Sequence, residues 1–597
     1  MKYFCSTKFL CLIKEKQLLL LLMAIYYIIV FYPVLRSGYM YDDLENYTSK
    51  GWSLLHDMNI WQMTKHFAYE IWFKEYGRAF FFAWYPYALF SLVSLNLYKL
   101  LIVIFTFING IVLSEILFIL LKNRQISFVT LLIFPMIVSL DCSYFNAMYG
   151  AHFLVQMAML MSCLGILFFQ YYLESKKKIF QFISCIALFV SLGIYEVSFV
   201  LCIIYLFILI DKNEFHKNLF KIIPQLFVGI FWLIVNVYGH IIAKSQYDGV
   251  SINLGINVFW GFLKQLSGST CIVNDVLSVT GVIAINELSN WAYSIRYAIL
   301  IVIFILLFFL LKNKYKLHSI PKDLSTNKLK VVFVSLCLIV LPTFLIAVSA
   351  RYQTEVSWGK GYMLAYISTW GIAVLIALVI EKIIKHIDNL FFNFLIIITL
   401  IFISIPNQII ADYSVDNMGN WSKIRDDLFL TASKAGVFDD WNAGDYILDA
   451  DSYAWRSINQ HYDYLLNIKV NAYEFNDLYT LSEDSIVYTS KYYELLGHKL
   501  FYYVAMPNYC NSLFYAKASD VKLSIIDNVK ISTEVYVSNL KIFVPNNKNL
   551  SKISIVNENN CIQEICLKEF LINKTEFGNI YLYTSDGKFD ITKVAIY

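Results

Sequence analysis

The sequence predicts a mainly α-helical polytopic membrane protein of about eleven transmembrane helices, followed over residues 411–597 by an α+β soluble domain. Three observations lead there. Hydrophobic residues fill 58% of the 597 positions and charged residues only 15%, a balance too apolar for a water-soluble chain. Apolar runs of the roughly 20 residues needed to cross a hydrocarbon core of about 30 Å recur through residues 1–410. Beyond them charges and asparagines return, and no further run is long enough to span.

The first run, 17–35, follows Lys8, Lys14 and Lys16 and reads as a signal anchor, because it is long for a signal peptide and no small-residue cleavage site follows it. Basic residues stay cytoplasmic, so the segment after Leu35 lies outside. Further spans are expected at 98–121, 126–140, 147–172, 179–194, 196–210, 222–242, 291–311, 331–350, 362–380 and 391–410. With these, Lys122 and Arg124, Lys176 to Lys178, Lys212, Lys217 and Lys221, the lysine-rich 312–330 linker, and Lys382 and Lys385 all fall inside. An odd count sends the C-terminal domain outside. Residues 79–94 are uncharged and aromatic, but counting them as a span would move Lys122 and Arg124 to the wrong face, so they read as an interfacial or re-entrant helix.

In the C-terminal domain, 421–435 has helical spacing, whereas 484–504 and 522–597 alternate apolar and polar residues as half-buried strands do. Turn chemistry is present in Pro545-Asn546-Asn547 and Asp586-Gly587. The net charge of +4 comes without a basic, aromatic-laced patch, which argues against nucleic acid as a partner. The eleven cysteines are scattered with no metal-finger spacing; Cys561 and Cys566 pair if their compartment is oxidising and otherwise stay reduced. Phosphate-cradling glycine loops, zinc-protease helices and serine elbows are missing.

Candidate chemistry starts in the first outer loop, 36–78, which is too long for a simple connector and carries Asp42, Asp43, Glu45, His56, Asp57, His66, Glu70, Lys74, Glu75 and Arg78. Adjacent carboxylates at a desolvated boundary repel, which raises one pKa and suits a general base; the plain alternative is a helix cap beside a solvated acid. A second set, Asp141, His152, Glu196 and Arg351, falls on the same outer side, where ionisable groups near membrane depth face cavities or pair with one another. Arg351 and Lys360 flank a short outer loop and could grip a phosphate, the arginine through its fork, with snorkelling as the alternative for the lysine. Tyr247 adds an outer-face polar group.

These residues, an anchor followed by Tyr41-Asp42-Asp43, then Gly77-Arg78 opening an aromatic segment, a polar turn from Asn146 to His152, Tyr195-Glu196 between short spans, and Arg351 near a late span, resemble the polytopic GT-C glycosyltransferases. Within that class the similarity is to the bacterial glucosyltransferases that decorate O-antigen and other surface glycans. The resemblance covers about residues 1–410 as an architecture. It implies a multi-pass enzyme of the cytoplasmic membrane that moves a hexose from a polyprenyl-phosphate-linked donor to a surface glycan acceptor at the outer face, with inversion. Asp42 or Asp43 would act as base or donor-positioning group. Glu45, Arg78, His152, Glu196, Tyr247, Arg351 and Lys360 would contact substrate, and membrane lipid would surround the donor. Carboxylates leave open whether a divalent cation assists; no other cofactor is expected. The alternatives are a glycan polymerase or ligase, which does not need the first-loop aspartates, and a lipid-linked sugar transporter or flippase, for which ionisable groups near mid-membrane are expected.

Overall fold

The computed structural model describes residues 6–43, 58–59, 61–62, 65–83, 93–142, 145–150, 153–209, 220–245, 247, 249, 251–281, 293–314, 325–386, 390–442, 445–449, 458–474, 499–503, 513–526, 530–546, 552–556, 562–566, 570–590 and 595–596. The chain divides into two compact units, Met1–Ser37 with Ile60–Val415, and Gly38–Asn59 with Asp416–Tyr597.

The first unit is helical: α1 (Ser6–Val30), α2 (Tyr32–Arg36), a π-helical stretch at Lys65–Glu75, α3 (Leu95–Leu121), α4 (Arg124–Ile137), α5 (Leu154–Ser175), α6 (Lys178–Ile194), α7 (Ser198–Leu209) and α8 (Ile223–Ile242). It continues with α9 (Asn257–Ser267), α10 (Cys271–Gly281), α11 (Ser294–Lys314), α12 (Ser325–Val348), α13 (Ala350–Glu355), α14 (Ala365–His386) and α15 (Leu390–Ser414). A helix lies over each of the eleven expected spans. Among the described residues six of them are long and apolar enough to cross a membrane, Leu95–Leu121, Leu154–Ser175, Phe220–Ile242, Lys328–Val348, Ala365–Ile384 and Phe391–Ser414. Shorter apolar helices at Gln17–Val30, Arg124–Ile137, Lys178–Ile194 and Ser294–Leu310 accompany them. Of the aromatic segment 79–94, residues 84–92 lie outside the described ones.

With no water in a bilayer core, packing and internal hydrogen bonds must hold such helices together. Gly110 on α3 lets Trp370 of α14 approach, since a Cβ there would meet the indole at 2.7 Å. Trp370 is fully buried and stacks on Phe134 of α4, ring centroids 3.7 Å apart. Pro135 within α4 has no N–H to give the carbonyl of Leu131 one turn earlier. The hydroxyl of Tyr27 on α1 supplies that hydrogen bond at 2.9 Å. Buried Asn109 donates across the bundle to the carbonyl of Gln156 at 2.9 Å and to the hydroxyl of Tyr366 at 3.1 Å. By contrast α8 buries only Gln225, Trp232 and Gly239, one residue every two turns.

The second unit is α+β. Its helices are α16 (Trp421–Lys434) and α17 (Ile458–Leu466). Its strands are β1 (Tyr446–Asp449), β2 (Asn471–Glu474), β3 (Lys499–Tyr503), β4 (Leu513–Ile526), β5 (Lys530–Pro545), β6 (Lys552–Val556), β7 (Ile562–Cys566), β8 (Leu571–Lys574), β9 (Gly578–Asp590) and β10 (Ala595–Ile596). Seven strands form a sheet in the order β2-β1-β3-β4-β5-β9-β8, and β10-β6-β7 form a second. β1 runs parallel to β2, with α17 as the crossover a parallel pair requires; β3 to β4, β4 to β5 and β5 to β9 are antiparallel. Phe429, Val437, Phe438, Ile447, Tyr462, Phe501 and Tyr515 form the core beneath this sheet. Cys566 is an exposed free thiol, and Cys561 lies outside the described residues.

Candidate active site

Four of the expected substrate contacts converge in the first unit. The local fold begins with Gly77, whose φ of +73° closes the π-helical stretch in the left-handed region that glycine adopts without strain. A Cβ there would meet His240 at 3.0 Å, and one on Gly239 would meet the Gly77 carbonyl at 2.7 Å, so the loop lies directly on the end of α8. Five residues on, the amide of Phe82 donates to the carbonyl of Gly193 at 2.8 Å, which fastens the loop to the end of α6 just before Tyr195-Glu196.

Arg78, between these two anchorages, is 9% exposed. Its Nε donates to Oε1 of Glu196 at 3.0 Å, and its Nη2 makes a second, short contact with the same oxygen. Oε2 of Glu196 is buried and has no hydrogen-bond partner among the described residues. The guanidinium faces the rings of Phe80 at 4.1 Å, Tyr247 at 4.5 Å and Trp72 at 5.5 Å. Burial works against the Arg78 cation, but the Glu196 carboxylate, then Tyr247 and Tyr195, more than offset it and hold the group above its ordinary range. Tyr247 joins the second arginine to the first: Arg351, on α13, lies 5.9 Å from its ring, and the Tyr247 and Tyr352 hydroxyls are 3.2 Å apart. Arg351 also donates to Glu355 at 2.7 Å, which, against the cost of burial, keeps its charge fixed.

Other expected residues lie elsewhere. Lys360 turns to Asp141 at 3.7 Å, and both line a cleft with Asn146 and Tyr362 that holds about 400 Å³ of empty space, open solvent included. Asp42 and Asp43 belong to the second unit, where the preceding Gly38 donates to the Gly419 carbonyl at 2.7 Å and Ser422 to that of Tyr39 at 2.7 Å. Asp43 is fully buried and Tyr41 has a φ of +49°. Glu45, His56, Asp57 and His152 lie outside the described residues, as does Asp248 beside Tyr247. Trp72, Phe80 and Tyr352 are not among the sequence candidates, although each stands within six residues of a chosen arginine or carboxylate. Adjacency of an aromatic to an outer-face charge was the available signal. Among the described residues no group of three or more His, Cys, Asp or Glu side chains forms a candidate metal site.

Apolar helices of this number and length make the chain an integral, polytopic membrane protein. No family profile matches its sequence, and no curated protein matches it. Among solved structures, the crystal structure of ArnT from Cupriavidus metallidurans bound to undecaprenyl phosphate aligns over 86% of this chain and 97% of that one, at 9% identity and a loose TM-score of 0.31.

Proposed function

We propose that this chain is a GT-C-type membrane glycosyltransferase that moves a hexose from a polyprenyl-phosphate-linked donor to a surface glycan at the outer face of the cytoplasmic membrane. The observation that carries the proposal is Glu196: one carboxylate oxygen is bound to buried Arg78, the other is buried with no donor among the described residues, and aromatic rings surround the pair. A carboxylate so held accepts a sugar hydroxyl, rings offer the flat apolar surface that a sugar face covers, and two fixed cations suit a phosphate leaving group. In the reaction an acceptor hydroxyl oxygen bonds to the anomeric carbon as the bond from that carbon to the donor phosphate breaks. The configuration inverts, polyprenyl phosphate leaves, and the hydroxyl proton passes to a carboxylate, for which Asp42 or Asp43 is the candidate base. The C-terminal unit is then extracytoplasmic, on the side of the membrane where the acceptor glycan lies.

The test is separate replacement, D42N and D43N, with modification of the surface glycan read in intact cells and protein level read in membranes. One variant should lose modification at normal abundance. Full modification in both would remove the first-loop base from the proposal.

A further inference from the structure

A second charged cluster, sharing no residue with the Arg78 site, sits where α2 and α15 end and α11 begins. Asp412 of α15 accepts from Arg36 at 2.9 Å on one oxygen, and from Tyr297 at 2.7 Å and Arg296 on the other. Arg36 also reaches the Tyr293 hydroxyl. The two guanidiniums share aromatic walls: Arg36 lies 4.5 Å from the Tyr293 ring and 5.6 Å from Tyr32, and Arg296 lies 5.4 Å from Tyr32 and 5.0 Å from Tyr297. The Asp412 side chain is 3% exposed and that of Arg296 12%, whereas Tyr32 is 40% exposed and forms the open edge.

Arg296 is under-used in this arrangement. It spends Nη2 on Asp412, and its Nε and Nη1 are buried with no hydrogen-bond partner among the described residues. Asp412 already takes three donors, so it has little left for the remaining N–H groups. Buried guanidinium donors without acceptors are costly, and a tetrahedral oxyanion is the ligand whose shape and charge answer several of them at once. These helix ends face the side that the loop lysines make the outer one, where the charge rule for membrane proteins does not favour arginine. Two arginines kept there against that bias, beside a ring open to the bilayer, fit a phosphate at headgroup depth.

We infer that Arg296, with Arg36 and the Tyr32, Tyr293 and Tyr297 rings, binds a phosphate-bearing anion at the outer membrane boundary, as an anionic phospholipid headgroup or as free phosphate. This site is independent of the glycosyltransferase proposal and stands or falls separately.

The full-length protein, purified in detergent and stripped of lipid, is heated alone, with phosphatidylglycerol, with phosphatidylcholine of the same chains, and with inorganic phosphate against chloride at equal ionic strength. Phosphatidylglycerol should raise the melting temperature where phosphatidylcholine does not. Protection by inorganic phosphate alone would name free phosphate as the source, and protection by the lipid alone the headgroup. R296Q should weaken the protective anion's apparent affinity about tenfold while R124Q, whose side chain pairs with Glu115, leaves it unchanged. D412N, which frees both arginines, should tighten it, so a misfolded R296Q still leaves a signed readout. Equal melting temperatures for the wild-type protein in all conditions, or unchanged affinity in both folded R296Q and D412N, would overturn the site.

Discussion

Arg78 donates from Nε to Oε1 of Glu196 at 3.0 Å, and Oε2 of that carboxylate is buried with no donor among the described residues. The pair is therefore half satisfied within the protein. E196Q keeps the shape and removes the charge that holds Arg78 and accepts a hydroxyl. Loss of a charge-assisted hydrogen bond is worth about 1.5–3 kcal/mol, so glycan transfer in membranes should fall roughly ten- to a hundredfold at unchanged protein level. Wild-type rates in E196Q would exclude Glu196 from the site.

Tyr247 stands between two arginines through its ring and reaches Tyr352 through its hydroxyl. The ring and the hydroxyl can be separated. Y247F removes one hydrogen bond of about 1 kcal/mol and should cost transfer several-fold, whereas Y247A also strips the aromatic face from both guanidiniums and should cost at least ten times more. Equal loss in the two variants would give the whole effect to the hydroxyl.

G77A tests the support of Arg78 without touching a charged group. A left-handed φ costs a residue with a Cβ about 1–2 kcal/mol, and the new atom would press on His240 at 3.0 Å. A lower melting temperature and reduced transfer are expected together, because relief of the strain shifts the loop that carries Arg78.

Y27F should destabilise the helical unit by about 1–3 kcal/mol, since it leaves the Leu131 carbonyl, already deprived of a donor by Pro135, without its hydroxyl partner. Thermal unfolding in detergent measures the loss. P135A in the same background should return part of it by restoring an N–H to that carbonyl.

Asp275 of α10 supplies a pH dependence. Burial pushes its carboxyl up to about 7; a hydrogen bond with Cys271 opposes this and the charge of Asp141 adds to it. Because the folded-state value lies above the unfolded one, the folded protein binds the extra proton. The associated stability is complete below about pH 4 and is lost as pH rises through 7, on the order of a few kcal/mol at most. D275N should remove that slope, melting higher than the wild type at pH 8 and nearly equal to it at pH 4.

Much of this architecture was legible from periodicity and charge alone. A helix lies over each expected span, six of them long and apolar enough to cross a membrane among the described residues, and the 421–435 prediction matches α16 closely. The start of α5 was placed at 147, but the helix begins at Leu154, since Asn146 ties the preceding residues into a turn by accepting from the Met148 amide at 2.9 Å. Strands β1 and β2 escaped notice because each is four residues long, too short to show alternation. In the site, Arg78, Glu196, Tyr247 and Arg351 were chosen as outer-loop polar groups, and the fold brings these four side chains together. Local sequence does not reveal that Lys360 turns to Asp141, or that Arg296 and Asp412 find one another across 116 positions. Such pairings are set by which helix faces meet, and no local pattern encodes that.

The helix beneath Arg78 also ties the site to its surroundings. Only 17% of the apolar stretch in Phe220–Ile242 is buried within the protein, while Phe227, Ile234 and Ile241 are 62–75% exposed. Acyl chains therefore hold most of α8 in place, and its tilt follows the thickness of the hydrocarbon they form. Gly239, at its end, bears directly on Gly77. Changing acyl-chain length should therefore reach the Arg78 loop through α8 and alter glycan transfer with no change in sequence.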